Sequence, residues 1–77
     1  MSTTERLAAF LMKHSGSFQV ARDPVMNVLT LHLICQRKTG EVLNITRALT
    51  VEDIVRSNIN RFDFETDRML DILEKEL

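Results

Sequence analysis

The stretch Val28-Leu29-Thr30-Leu31-His32-Leu33-Ile34-Cys35 constrains this chain more than any other segment. In an extended chain Leu29, Leu31, Leu33 and Cys35 fall on one side, and Val28, Thr30, His32 and Ile34 on the other. A two-residue period with β-branched positions predicts a strand, not a helix. One side is leucine and cysteine throughout, so it must face a core, and every neighbouring strand must respect that parity. The strand is expected over Val25–Arg37. It follows a break at Asp23-Pro24, where proline cannot donate to a ladder and pushes the residue before it out of helical space.

Phe18–Arg22 reads as a shorter strand before the break. After it, Lys38-Thr39-Gly40 is a turn whose length decides the next register. A two-residue Thr-Gly loop would set Ile34 opposite Ile45. A three-residue loop, with Gly40 in the left-handed conformation, sets Arg37 opposite Glu41, Cys35 opposite Leu43 and Leu33 opposite Ile45. The second arrangement gathers the leucines on one face and adds an opposite-charge pair, so it is the one expected.

Helices flank the strands. Ser2 and Glu5 have capping-box spacing, with Leu7, Phe10 and Leu11 on one face behind them. Ser15-Gly16-Ser17 ends this helix, with glycine expected in the left-handed stop position. Thr50 and Asp53 repeat the capping grammar inside a Leu49/Ile54 staple, and Asn60 with Asp63 repeats it again inside Ile59/Phe64. Residues 51–77 therefore admit two readings. One continuous helix puts Val51, Val55, Ile59, Phe62, Met69, Leu70, Leu73 and Leu77 in phase and leaves Phe64 facing away. A break near Ser57-Asn58 lets a second helix begin at Asn60, and this reading is preferred.

The order is helix, three antiparallel strands, then one long or kinked helix. This makes a single α+β domain over residues 1–77, with the helices on one face of the sheet. Its core is expected from Leu29, Leu31, Leu33, Leu43 and Ile45 against Leu7, Phe10, Leu11, Ile54, Met69 and Leu73. The order resembles that of double-stranded-RNA-binding domains, a likeness of topology. In that family a lysine-rich start to the last helix reaches phosphates; here the position reads Thr50-Val51-Glu52-Asp53, which repels them, so the function is not carried over.

Hydrophobic residues make 44% of the 77 and charged residues 27%, as in an ordinary folded domain. Cys35 is the single cysteine, so no intrachain disulfide can staple so small a core, and a reducing, cytoplasmic setting with association into a homodimer is expected. The apolar run Leu7–Met12 is too short to span a membrane. A net charge of −1 hides an asymmetry: +3 over residues 1–49 and −4 over residues 50–77.

Nothing in the pattern announces catalysis, a cofactor or a metal. His32 and Cys35 are three apart on a strand and leave opposite faces. His14, His32 and Cys35 lack ligand spacing, and Gly16 and Gly40 cannot make a phosphate loop. The expectation is a non-enzymatic protein-binding module, a regulator or inhibitor of the size that phages and other mobile elements encode. Its candidate partner residues are Val28, His32, Ile34 and Val42 on the outer sheet face, Phe64, and the acidic row Asp67, Asp71 and Glu74, which suits a basic partner. The alternative is a nucleic-acid binder using Arg22, Arg37, Lys38 and Arg47 around the hairpin.

Overall fold

A computed structural model describes residues 1–56 and 60–77. The elements are α1 (Thr3–Lys13), β1 (Ser17–Asp23), β2 (Val28–Gln36), β3 (Val42–Thr50), α2 (Val51–Arg56) and α3 (Arg61–Glu76). The strands form one antiparallel sheet in the order β1-β2-β3, so β2, the strand with the strictest alternation, is the central one. α1 and α3 cover the leucine face in a single layer, and the molecule measures 40 × 29 × 17 Å.

The hairpin follows the three-residue loop. Cys35 lies opposite Leu43, Leu33 opposite Ile45, and Ile34 opposite Asn44. Gly40 N–H donates to the Arg37 carbonyl at 2.9 Å, and Arg37 N–H to the Glu41 carbonyl at 2.8 Å. Gly40 has φ +91°, a left-handed value that costs glycine little. On the other side of β2, Asp23 organises the turn: its Oδ1 accepts from the backbone N–H groups of Val25 and Met26. This turn takes Val25–Asn27 out of the expected strand, and Asn27 completes it at φ +54°.

Phe10, Leu31, Leu33, Cys35, Leu49, Met69, Leu70 and Leu73 form the buried core, with Leu7, Leu11, Phe18, Leu43, Ile45 and Phe62 packed around it. Phe18 of β1 meets Phe62 of α3 edge to face, with centroids 6.3 Å apart. Thr66 is also fully buried, and its hydroxyl donates to the Phe62 carbonyl one turn back at 2.8 Å. Leu49, Leu70 and Thr66 were not among the residues expected in the core. Ile54 was expected there and is exposed, because α2 follows β3 without a loop and its six residues cannot turn back over the leucines. Thr50 is both the last residue of β3 and the cap of α2: its Oγ1 accepts from Asp53 N–H, and Asp53 Oδ2 accepts from Thr50 N–H. Hydrogen bonding of the carboxylate to Thr50, to its side chain first and then to its backbone N–H, holds the Asp53 carboxyl below its ordinary pKa.

The C-terminal segment is broken, as preferred: Asn60 is non-helical and its Oδ1 accepts from Asp63 N–H at 3.1 Å to start α3. The expected helix end at Ser57-Asn58 and the Ile59 half of the second staple lie outside the described residues. α1 ends differently from expectation. Ser15, not Gly16, takes the left-handed conformation, at φ 51°. Gly16 N–H then reaches back to the Leu11 carbonyl at 2.8 Å, closing a Schellman-type stop. Gly16 is needed for space. A Cβ there would lie 2.8 Å from Leu11 Cδ2 and 2.9 Å from the Ile34 carbonyl oxygen.

Substitutions at these neighbours should act with opposite sign. Ser15→Gly removes a left-handed penalty and should stabilise by up to about 1 kcal/mol. Gly16→Ala drives a methyl into backbone and should destabilise by about 1–3 kcal/mol, read by urea denaturation. Equal effects of the two changes would refute this reading of the α1 stop.

Candidate functional site

The register assigns every sheet residue to a face. Opposite the helices stand Ser17, Gln19, Ala21 and Asp23 on β1, and Val28, Thr30, His32, Ile34 and Gln36 on β2. Val42, Asn44, Thr46, Ala48 and Thr50 complete this face from β3. No described element covers it. The four residues expected to meet a partner here do share the surface: Val28, His32 and Ile34 run down the central strand, half-buried by their neighbours, and Val42 is 53% exposed at one end. The chain has 10 Lys or Arg and 11 Asp or Glu, yet of these only Asp23 stands on this face, and its carboxylate is held in the β1–β2 turn.

The acidic row of α3 has another employment. Arg6 of α1 reaches across to it: Nη1 lies 3.3 Å from Asp67 Oδ1, and Nη2 bonds Asp71 Oδ1 and, at 3.2 Å, Glu74 Oε2. Thr3 adds a hydroxyl bond to Asp67 Oδ2 at 2.9 Å. These contacts, led by the Asp71 hydrogen bond, raise the Arg6 pKa further above its ordinary value, against the opposing effect of burial. Asp67, Asp71 and Glu74, expected to present themselves to a basic partner, thus already meet a basic side chain of their own chain. Their partner is internal, and they fasten the first helix to the last.

Phe64 is turned outward and is 40% exposed, as the continuous-helix reading supposed, although the helix is broken. Arg61 and Arg68 stand over its ring, with guanidinium carbons 5.4 and 5.9 Å from the centroid.

The four basic residues considered for nucleic acid are not brought together. Arg22, opposite Leu29, lies near one end of the sheet, and Arg37 and Lys38 lie beyond the other, about 26 Å away along β2. Arg37 is bridged to Glu41 at 3.6 Å and Glu76 at 3.2 Å, and Arg47 faces Glu65 at 3.9 Å. Two of the four charges are therefore already answered.

No family model, curated protein or solved structure matches this chain.

A hollow of about 590 Å³, open to solvent, lies where α1, the hairpin turn and the end of α3 meet, lined among others by Arg6, Phe10, Lys13, His14, Lys38 and Glu74. The His14 ring is spent on packing, 4.8 Å from the Phe10 ring. Cys35 lies elsewhere, fully buried on the leucine face; burial raises its thiol pKa, partly opposed by Arg37. Among the described residues no group of three His, Cys, Asp or Glu is arranged to hold a metal ion, and no helix is long and apolar enough to cross a membrane.

Two outcomes test this geometry. Arg6→Met leaves three carboxylates facing one another and should cost about 1–2 kcal/mol, part of it recovered in high salt as repulsion is screened. A melting temperature that is unchanged, or indifferent to salt, would deny Arg6 this role. Cys35 should resist iodoacetamide in the native protein and react on unfolding in urea, followed by mass spectrometry.

Proposed function

We propose that this chain is a non-enzymatic protein-binding module of the cytoplasm, a regulator or inhibitor of another protein, which acts as a homodimer joined through its bare sheet face. The observation that carries the reading is the charge distribution. A three-stranded face with β-branched residues at its centre and one charge at its corner is unusual on a chain otherwise dense in charge. Two copies of such a face can meet with no like-charge opposition, as a two-fold interface requires. Hydrophobic Val28, Ile34 and Val42 give them something to bury, and Thr30, His32, Asn44 and Thr46 can satisfy one another across the seam.

The size of the face bounds the strength. Three strands of up to nine residues span about 14 by 30 Å, or about 400 Å² per protomer, roughly half of a standard interface. Association should therefore depend on concentration. Light scattering over a dilution series should show a monomer–dimer equilibrium, and Ile34→Lys should shift it to monomer with an unchanged far-ultraviolet spectrum. A strict monomer at the highest concentration, for the wild type and the variant alike, would dismiss the sheet face as a dimer contact.

A further inference from the structure

By sequence the last third of the chain is acidic, yet α3 spends that acidity inward. Of its six acids, Asp67, Asp71 and Glu74 pair with Arg6, Glu65 with Arg47 and Arg61, and Glu76 with Arg37. Its buried side, with Phe62, Thr66, Met69, Leu70 and Leu73, is committed to the core. What remains is a third stripe, Arg61, Phe64, Arg68, Ile72 and Lys75, spaced three, four, four and three residues apart and so aligned along the outward side of the helix. Among the described residues, Arg68 and Lys75 have no salt-bridge partner. The centre of the stripe is apolar: Phe64 is 40% exposed and Ile72 half-buried. Between them lies a hollow of about 300 Å³ lined by Phe64, Arg68, Asp71, Ile72 and Lys75. The one carboxylate in that lining, Asp71, is engaged by Arg6.

We infer that this stripe is a docking surface for an acidic, amphipathic protein segment, which sets an apolar side chain into the hollow and carboxylates against Arg68 and Lys75. Charge complementarity selects the occupant. The stripe offers two cations unpaired among the described residues, Arg68 and Lys75, beside an apolar seat, which matches the alternation of acidic and apolar residues on one face of a helix or a short extended peptide. A nucleic-acid strand fits less well. The guanidinium groups of Arg61 and Arg68 stand over the Phe64 ring, where a base would need to stack. The surface is independent of the sheet face, because α3 lies on the other side of the sheet from Ile34.

The test uses the full chain and a fluorescein-labelled peptide with Glu at most positions and Leu or Phe at every third or fourth, followed by fluorescence anisotropy. Saturable binding is expected. It should weaken about tenfold with Phe64→Ala and vanish with Arg68→Glu combined with Lys75→Glu, all with native circular dichroism. The charge-reversed protein should instead bind the same peptide with Lys in place of Glu. Ile34→Lys should bind the acidic peptide as the wild type does, even if it abolishes the dimer, so the two readings can fail separately. Four outcomes would each overturn the assignment. These are no saturable binding by the folded wild type, equal binding of the Lys peptide, tighter binding of a single-stranded oligonucleotide, or loss of binding in Ile34→Lys alone.

Discussion

Parity in the β2–β3 hairpin governs the rest of this molecule. A turn one residue shorter would carry Leu43 and Ile45 to the other side of the sheet and leave the leucines of β2 without companions. The three-residue loop prevents this, and it works because Gly40 can occupy a left-handed conformation at the point where the chain must re-enter the sheet. Both faces follow from that choice. The leucine face becomes the floor of the core under α1 and α3, and the remaining face inherits the small and β-branched residues that no described element covers.

The electrostatic layout follows from a second choice, the position of one arginine. Arg6 gathers three carboxylates of α3, and Arg37 and Arg47 take two more. A segment with twice as many acids as bases thereby exposes its bases along one stripe. Net charge over a stretch of sequence says little about the sign of the surface that stretch presents, because pairing across the fold is selective. The positive first half and the negative second half face each other, and their imbalances are largely spent on holding α3 against α1, the hairpin turn and β3.

The parts legible in the sequence are those set by local rules. Register could be read because the alternation of β2 and the Arg37/Glu41 pair pointed the same way. The caps at Ser2, Thr50 and Asn60 could be read because a hydroxyl or amide and an acid three residues later leave few other uses. The failures are long-range or spatial. Asp67, Asp71 and Glu74 visibly share a side of a helix, but nothing local says that Arg6, more than sixty residues away, fills the space before them. Gly16 looked like a left-handed stop, whereas the reason for glycine there is the approach of Leu11 and the Ile34 carbonyl. Ile54 satisfied the grammar of a staple, but α2 is too short and too directly joined to β3 to bring it over the core. The outward stripe of α3 carried a signal at helical spacing, masked by the denser acidic row beside it.

The Arg6 contacts join residues separated by 61 to 68 positions, close to the whole length of the chain. This has a consequence for how the molecule comes into being. The β2–β3 hairpin closes over a short loop and can form early, but its leucine face stays wet until α3 exists to cover it. α1 is made before α3, which carries its electrostatic anchor. During synthesis the emerging chain therefore passes through a stage with a formed hairpin, a bare apolar floor and an unattached leading helix, the stage at which apolar surface is most open to wrong encounters. Completion of α3 ends that exposure in one step, since the same helix supplies Met69, Leu70 and Leu73 to the floor and the carboxylates to Arg6.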